Sequence, residues 1–579
     1  MLLMKIAPDE QEINCAVDLL VNRYNISAQL LGKLFDLRHK NQANQLLKKL
    51  TGDNLDRVSL ARLLIFKEGP TLFTGSDLET IKLRKRLLDA LNSDSIIELF
   101  DKHIKNGNST TKANMITKLA ERRWDANGKW ANDFVSVLEF PRIFAGVQQR
   151  EQVPTIVDIQ PRLKIPKLVD FQKDLKARML NVLENTGDRT RCIVTLPTGG
   201  GKTRVAVEAF IEWMQPRFSM NKYLVWIAQS EELCEQAISC IQAMWGDREF
   251  IKDLRIYRYF KGKDINKDDL IGGVVISSIN QLYNRIKAQD ECLDVILENT
   301  GAMIIDEAHR ATTPMYNVLF DKAESICGKD LFPVCGLTAT PGRTTINNNN
   351  DTPKLVKRFE AYLIKPSLGV EYEADPLLFF REQGYLAKAN HIVFQSGKDY
   401  ELTEEQIRQI QKEGDITDKV FLKELANDND RNLCIIKRLL KIPKGNRALV
   451  YACTVDHANF LATLLNASGR SAGVISSDTA SSIRRGMIED FRNGSLDYIC
   501  NYGVLTTGFD APKTNYIVLC RPTTSEILYE QIIGRGLRGP IFGGTEYCTI
   551  IDFADNIKHL GLPLAYKRFS DFWTSDNIS

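Results

Sequence analysis

Short apolar runs rich in β-branched residues, each ending in a polar or glycine-rich turn, recur from about residue 190 onward. Runs of this length and composition are typical of strands buried inside a sheet. The predicted strands are 192–196, 224–228, 302–305, 447–454, 497–502, 515–520 and 547–552. Residues 204–210 follow a glycine-rich turn and predict a helix.

The first 150 residues predict mostly helices, for example at 77–91 and 114–124. Pro154, Pro161 and Pro166 then fall within one short stretch, and prolines so spaced indicate a linker over 151–166. We therefore predict a helical N-terminal module over 1–150, followed by a linker.

The remainder divides into a first unit over 167–345 and a second unit over 441–579, with an intervening segment over 346–440. Four consecutive asparagines within 344–351 predict an exposed loop. The stretch 396–440 is rich in Glu, Lys, Gln and Asp and predicts solvated helices. A plain charged surface is favoured there over a contact with nucleic acid or a partner.

The composition is that of an ordinary globular protein, with 44% hydrophobic and 26% charged residues. A net charge of +3 is too small to argue for nucleic-acid binding, so local basic clusters must carry any such contact. Apolar runs stay short of the roughly 18 residues of a membrane span, so we expect none. The cysteines form no Cys-x-x-Cys pair, and those in apolar strand-like runs predict buried thiols in a reducing compartment, the cytoplasm. These are Cys192, Cys335, Cys453, Cys500 and Cys520.

The turn after the first predicted strand is Leu196-Pro197-Thr198-Gly199-Gly200-Gly201-Lys202-Thr203. Its glycines allow positive φ, so backbone amides and the start of the next helix can point at phosphate oxygens. Lys202 adds a positive charge for the β- and γ-phosphates, and Thr203 offers a hydroxyl to Mg²⁺. The strict phosphate-loop pattern has glycine where Leu196 stands, and a glycine turn in an unrelated α/β protein is the competing interpretation.

Asp306-Glu307-Ala308-His309 directly follows the predicted strand 302–305, at roughly one domain's distance from the glycine turn. Open α/β sheets bind ligands at the carboxyl ends of their strands. Asp306 is predicted to hold Mg²⁺ through water, and Glu307 to orient or deprotonate the attacking water. A capping acidic pair does not explain this position after a phosphate loop. The two motifs together predict an ATP hydrolase that uses Mg²⁺.

From about residue 165 to the C-terminus, the chain resembles the superfamily 2 helicases and translocases. Phe171-Gln172 looks like the segment with which the family reads adenine. The further matching segments, in the family's order, are 224–230 (motif Ia), 277–281 (motif Ic), 338–343 (motif III), 449–454 (motif IV), 506–512 (motif V) and 531–538 (motif VI). The resemblance implies an α/β fold with two tandem RecA-like lobes, each a parallel sheet flanked by helices, after the helical N-terminal domain.

The sequences of these motifs are similar to those of bacterial DNA enzymes, namely RadD-like helicases and the motor subunits of type I and type III restriction systems. Asp-Glu-Ala-His at 306–309 and Gly-Phe-Asp-Ala-Pro at 508–512 differ from the forms in RNA-remodelling DEAD-box proteins. The stretch 379–387 resembles the inter-lobe segment of the same group. The resemblance therefore implies DNA, more than RNA, as the nucleic-acid partner.

The resemblance also implies roles for individual residues. Those expected to bind the nucleotide are Phe171, Gln172, Pro197, Thr198, Gly199, Gly200, Gly201, Lys202, Thr203, Gly508 and Asp510. Those expected to take part in catalysis are Lys202, Asp306, Glu307, Gln531, Arg535 and Arg538. Those expected to couple the lobes are His309, Thr338 and Thr340.

Arg535 and Arg538 stand three residues apart, so on a helix they would share one face. The family places that face across the cleft from the phosphate loop, where guanidinium groups can reach γ-phosphate oxygens. Two surface arginines on a charged helix are the alternative, which their position after motif V disfavours.

Residues 1–150 resemble no family that we recognise. Basic residues at 84–86 and 122–123, the latter beside Trp124, are able to track a phosphate backbone and stack bases. An ordinary solvated helix surface is the favoured interpretation, and a protein partner is the further possibility. The sequence thus predicts an ATP-dependent helicase or translocase acting on DNA. The alternative is an ATP-gated DNA-recognition subunit that signals to a partner effector with little unwinding.

Overall fold

The computed structural model describes residues 8–34, 56–104, 111–146, 156–159, 167–246, 253–328, 332–339, 351–372, 375–413, 415–477, 479, 481–505, 511 and 513–558. Its helices are α1 (Glu10–Asp18), α2 (Ala28–Leu34), α3 (Arg57–Glu68), α4 (Leu78–Asp89), α5 (Ser93–His103), α6 (Lys112–Glu121), α7 (Lys129–Val137), α8 (Asp170–Leu183), α9 (Lys202–Met214), α10 (Glu231–Gly246), α11 (Ile279–Lys287), α12 (Glu291–Glu298), α13 (Pro314–Cys327), α14 (Asp351–Arg358), α15 (Pro376–Glu382), α16 (Glu404–Glu413), α17 (Lys419–Asn427), α18 (Asn429–Leu440), α19 (Val455–Ala467), α20 (Ser481–Asn493) and α21 (Glu526–Ile533). Its strands are β1 (Ile156–Ile159), β2 (Arg191–Thr195), β3 (Tyr223–Ala228), β4 (Leu254–Tyr259), β5 (Gly273–Ser278), β6 (Thr300–Asp306), β7 (Val334–Thr338), β8 (Leu363–Ile364), β9 (Lys388–Glu401), β10 (Ala448–Tyr451), β11 (Ala472–Ile475), β12 (Tyr498–Asn501), β13 (Tyr516–Leu519) and β14 (Tyr547–Lys558).

Helices α1 to α7 form an N-terminal module around a core of their own, which includes Leu20, Leu64, Phe73, Leu87 and Phe134. Apolar side chains recur on one face of each helix, and burying these faces together is what holds such short helices in place. Helix α3 also packs against α19, which belongs to the C-terminal half of the chain. The N-terminal module is therefore docked on the second α/β unit.

The expected basic and aromatic face of this module is partly internal. Helix α6 ends at Glu121, so Trp124 lies beyond it, and its buried indole Nε1 donates to the Ala145 carbonyl at 3.2 Å. Arg84 is also buried, lies over the Trp124 ring and donates to the Ala120 carbonyl at 2.8 Å. Because both side chains are buried inside the module, these two residues do not present a stacking surface.

The first α/β unit is built on one sheet, whose described strands run in the order β1-β4-β5-β3-β6-β7-β2-β8. The described pairings are parallel except that β1 runs antiparallel to β4 at the edge. Both faces of a parallel sheet are covered by helices, which is why the strand sequences are continuous apolar runs. The carboxyl ends of β2, β6 and β7 meet at one edge, where the phosphate-loop and acidic motifs begin.

The second unit is a parallel sheet whose described strands run in the order β11-β12-β10-β13-β14-β9. Helices cover it, and α19 and α21 among them are largely buried. The predicted fold class, two parallel α/β units preceded by a mostly helical region, is confirmed.

The stretch 346–440, expected between the units, is instead divided between them. Strand β8 joins the first sheet beside β2, whereas β9 joins the second sheet beside β14. Helices α17 and α18 bury residues such as Phe421, Leu425 and Ile435, so the expectation of solvated helices is wrong for them. Lys419, Lys423, Glu424 and Lys437 are exposed on these helices, whereas Arg431 is fully buried beside the apolar residues.

The structure also bears on the expected linker, the asparagine-rich loop and the cysteines. Strand β1 lies inside the stretch 151–166 expected to be a linker. The asparagine-rich loop falls outside the described residues up to Asp351, where α14 begins. The cysteines expected in the core, Cys192, Cys335, Cys453, Cys500 and Cys520, are fully buried. Within the described residues, no helix has the length and apolar character that crossing a bilayer requires.

Candidate nucleotide-binding site

The glycine turn connects β2 to α9 and can adopt its shape only with glycine at two positions. Gly199 and Gly201 both have φ of 88°, in the left-handed region that other residues rarely enter. A Cβ atom at Gly201 would lie 2.6 Å from the Nε2 atom of Gln172. Gly201 is also the N-cap of α9, and Thr203 lies in the first turn of that helix. The turn therefore presents backbone amides and a helix N-terminus, the usual anion-binding arrangement.

Gln172 and Phe171, predicted to read adenine, lie behind this turn at the start of α8. The buried Gln172 amide donates to the Gly200 carbonyl at 3.2 Å, and its oxygen accepts from the Val169 amide at 3.3 Å. The buried ring of Phe171 meets Phe380 and Tyr385 edge to face, with ring centroids 5.1 Å apart in each pair. The structure thus assigns Gln172 a contact that fixes the loop, and adenine reading remains a prediction for both residues.

The acidic pair stands at the carboxyl end of β6. Asp306 is buried, and its Oδ1 accepts from the Glu307 amide at 3.0 Å. Glu307 itself has φ of 52°, an uncommon conformation for a residue with a side chain, and such positions concentrate at functional sites. The strand end and this turn together aim both carboxyl groups at the edge of the sheet where the glycine turn lies.

Burial and charge separate the two carboxyl groups in pKa. Burial, and next the charge of Glu307, raise the pKa of Asp306 to about 7. Burial acts to raise the pKa of Glu307 as well, but the hydrogen bond with His309 and the charges of Lys202 and Arg535 leave it lowered. Glu307 is therefore ionised at neutral pH, whereas a cation beside Asp306 would favour its ionised form.

Lys202 lies between these groups and the glycine turn. Its Nζ donates to the Leu196 carbonyl at 3.0 Å, and burial lowers its pKa while Glu307 and Asp306 oppose that shift. A buried carboxyl group and a threonine hydroxyl suit Mg²⁺, which takes few protein ligands and keeps several waters. Asp306 and Thr203 are the donors that fit it.

His309 connects the acidic pair to the next strand. Its Nδ1 lies 3.3 Å from Glu307 Oε2 and 3.1 Å from the hydroxyl of Thr338, the last residue of β7. The His309 and Thr338 side chains are both buried. The contact expected between Asp-Glu-Ala-His and motif III is therefore present at Thr338. Thr340, its predicted companion, lies outside the described residues.

Motif VI differs from the expected single helix. Helix α21 ends at Ile533, and the Gly534 amide donates to the Glu530 carbonyl at 2.9 Å. Arg535 stands on the following turn, and Arg538 lies beyond it in a β-bridge with Leu386. The prediction that they share a helix face is wrong, because Gly534 and Gly536 interrupt the helix. Arg535 still acts on the site, since its charge shifts the pKa values of Lys202, Asp306 and Glu307.

The two units touch at the glycine turn. A Cβ at Gly534 would lie 2.3 Å from Thr198 Cγ2, and one at Gly199 would lie 3.9 Å from Arg538 Cα. Gln531 is buried in α21, and its carbonyl accepts from Arg535 Nε at 3.3 Å. The structure thus gathers the phosphate loop, the acidic pair and motif VI at one cleft. Gly508 and Asp510 of motif V lie outside the described residues.

Sequence reasoning missed Glu530, the residue before Gln531. Burial raises its pKa to about 7, and the charge of Lys202 opposes that shift. It therefore brings a carboxyl group from the second unit close to the phosphate-loop lysine. No local sequence pattern distinguishes Glu530 from a surface glutamate on a helix, because its charged neighbour, Lys202, belongs to the other unit.

A polar groove opens at the same edge of the first sheet. It has a volume of about 360 Å³ and is lined by Gln229, Ser230, Glu231, Lys261, Ser278, Asn280, Gln281 and Asn284. These residues follow β3, β4 and β5, and they include parts of motifs Ia and Ic. Hydroxyl and amide groups with one lysine make this groove suitable for phosphate and sugar contacts.

Two family models match the chain in the order of its two α/β units. The model of the type III restriction enzyme res subunit matches residues 165–343, and that of the helicase conserved C-terminal domain matches residues 431–539. In these two domains the chain is similar to the superfamily 2 helicases and translocases. The cleft described above lies where the two matched domains meet.

Curated relatives of the chain include the putative ATP-dependent helicase IRC3 of Saccharomyces cerevisiae. That protein is 27% identical over 367 residues, which cover 62% of this chain and 48% of the relative. The type I restriction enzyme EcoKI endonuclease subunit of Escherichia coli is 24% identical over 403 residues, covering 60% of this chain and 31% of the relative. The chain thus spans less than half the length of these two relatives. The solved structure of S. cerevisiae Dbp5 bound to RNA and ADP BeF3 matches with a TM-score of 0.45 and 14% identity, over 70% of this chain and 88% of that one.

Proposed function

We propose that this protein is a nucleic-acid-dependent ATPase that moves along or opens DNA. The observation that carries the proposal is the cleft itself. Lys202, Asp306 and Glu307 of the first unit share it with Arg535 of the second, whose charge shifts their pKa values. A site divided between two units changes its geometry whenever they move relative to each other, which couples hydrolysis to motion.

The residues of the cleft divide the chemistry among themselves. Lys202 would neutralise charge on the β- and γ-phosphates, and Glu307, ionised and held by His309, would accept a proton from the attacking water. Thr203 and Asp306 would hold Mg²⁺, which neutralises phosphate charge when bound. Arg535 and Arg538 would stabilise charge that develops on the transferred phosphoryl group, a contribution of roughly 10³–10⁵ in rate for arginine fingers.

The polar groove is the proposed track for nucleic acid. Lys261 beside it pairs with Glu231 at 3.4 Å, and the remaining lining is mostly hydroxyl and amide groups. Such groups bond to the phosphate backbone without reading sequence. The preference for DNA over RNA is supported by the Asp-Glu-Ala-His and Gly-Phe-Asp sequences. It is also supported by the names of the matching type III restriction enzyme model and of the EcoKI endonuclease subunit.

Two further parts of the proposal rest on the N-terminal module and the cysteines. The module has a core of its own, which supports a role in substrate choice or in binding a partner protein. Cysteines buried in the sheet strands, such as Cys192, Cys335 and Cys500, are thiols in the structure, which supports a reducing compartment such as the cytoplasm.

The test is to measure ATP hydrolysis by the full chain with single-stranded DNA, duplex DNA, forked DNA and RNA. Strand unwinding and triplex displacement are measured on the same preparations, with Lys202→Ala as the inactive control. Stimulation by DNA together with unwinding or displacement supports the proposal. Hydrolysis without either movement favours the ATP-gated recognition subunit, and stronger stimulation by RNA than by any DNA would contradict the choice of substrate.

A further inference from the structure

The segment 379–387 lies between the two α/β units and contacts the nucleotide side of the first. The Phe171 ring, next to the loop-fixing Gln172, meets Tyr385 edge to face at 5.1 Å. Leu386, which follows, is buried, and its Cδ2 would lie 3.4 Å from a Cβ placed on Gly199. This segment therefore touches both the expected adenine side of the site and the phosphate loop.

The same segment is joined to motif VI by backbone hydrogen bonds. The Ala387 amide donates to the Leu537 carbonyl at 2.9 Å, and the Gly539 amide donates to the Tyr385 carbonyl at 3.0 Å. Leu386 and Arg538 form the antiparallel bridge between these two bonds. Arg538 is thus held by its backbone to the residue that follows Tyr385.

The Tyr385 ring is held from the second unit as well. It stacks on Phe542 with ring centroids 5.5 Å apart and planes 23° from parallel. Phe542 ends the short helical turn Pro540–Phe542, which follows motif VI directly. Tyr385 is consequently packed between an aromatic ring of the first unit and one of the second.

We propose that Tyr385 is a positioning residue, which transmits the position of Phe171 to Arg538 through its ring and its hydrogen-bonded backbone. Backbone hydrogen bonds join residues 384–387 to residues 537–541, so a shift of the Tyr385 ring moves the Arg538 backbone with it. Phe171 precedes the residue that fixes the phosphate loop, so the arginine turn is placed relative to that loop. The inference rests on the proposed ATPase function, because it concerns the placement of an arginine for phosphoryl transfer.

The test is a double-mutant cycle on the full chain, with kcat and KM for ATP measured at saturating DNA. Tyr385→Ala should lower kcat by about 10- to 100-fold with little change in KM, the loss that a displacement of about 1 Å can cause. Tyr385→Phe keeps the ring packing and should stay within about twofold of the wild type. In an Arg538→Ala background, Tyr385→Ala should cause almost no further loss, because the residue that it positions is gone.

The matched control is Phe394→Ala, which removes another stacked pair of the second unit, with Phe553 at 5.9 Å. Its effects should be independent of Arg538. Phe542→Leu removes the stacking from the opposite side and replaces Tyr385→Ala if that variant does not fold. Equal losses with and without Arg538, or a loss confined to KM, would overturn the role of Tyr385. A wild type without Lys202-dependent hydrolysis would instead overturn the proposed function, and with it this inference.

Discussion

Gly201→Ala tests whether Gln172 fixes the shape of the phosphate loop. Gly201 has φ of 88° and ψ of 28°, and a residue with a side chain is about 1–2 kcal/mol less stable in that region. The added Cβ would lie 2.6 Å from Gln172 Nε2 and would break the hydrogen bond to the Gly200 carbonyl, a further loss of about 1 kcal/mol. The variant should therefore destabilise the first unit by roughly 2–3 kcal/mol.

The control is Gly262→Ala in the same unit. Gly262 has φ of 66°, and a Cβ there would meet nothing within 4 Å, so only the backbone contribution applies. Calorimetry should show that the transition of the first unit falls about 2–4 °C further in Gly201→Ala than in Gly262→Ala. Hydrolysis of ATP should fall in Gly201→Ala because the loop amides are displaced, and it should be unchanged in Gly262→Ala.

A second arm uses Gln172→Ala, which removes the side chain that the new Cβ meets. In that background, alanine at position 201 should destabilise the unit no more than alanine at position 262 does. Equal melting of the two single variants, or an unrelieved loss in the Gln172→Ala background, would refute the idea that this side chain holds the loop.

The remaining predictions concern hydrolysis and nucleic acid. Lys202→Ala and Glu307→Gln should both abolish ATP turnover, with the fold retained in circular dichroism. Only the Glu307 variant should still bind ATP in a fluorescence titration. Normal turnover in either variant would contradict the catalytic roles given to these residues. Arg538→Ala should slow turnover by orders of magnitude and leave ATP affinity largely intact, as single-turnover kinetics would show, whereas weaker binding at unchanged turnover would mark a ground-state contact. Stimulation by DNA should fall as salt rises, because phosphate contacts release counterions. Lys261→Ala should reduce that stimulation, while Lys267→Ala, a similarly exposed lysine paired with Glu291 at 3.5 Å, should not; equal effects would place the track elsewhere.

The parts of this fold that the sequence predicts best are those dictated by local chemistry. Strands of a parallel sheet are buried on both faces, so β3 and β6 are visible as apolar runs. The polar residues that end these runs, such as Asp306, then fall at the sheet edge by the geometry of the fold. The left-handed conformations of Gly199 and Gly201 follow from the same turn.

The parts that the sequence does not predict depend on what lies across an interface. Trp124 is internal because the module closes over it, and α18 buries Ile435 because β9 and α19 lie beside it. Tyr385 and Glu530 gain their surroundings from the opposite unit, which no spacing along the chain expresses. Helix α21 ends before Arg535 because Gly534 and Gly536 interrupt it. The sequence does not show whether packing would keep the helix intact despite these glycines.

The N-terminal module contacts the second α/β unit directly, and the chain that follows it joins the first. Its helix α3 lies on α19 of the second unit, while β1, which follows the module in the chain, completes the outer edge of the first sheet beside β4. The units are thus linked by the covalent path through 365–387 and again around the outside of the molecule. Two units that are joined at two places can rotate relative to each other in fewer directions than two units joined by a single hinge. The module therefore restricts the direction in which the cleft between the units can widen. Removing residues 1–150 should therefore change how the cleft opens, in addition to any change in the proposed choice of substrate.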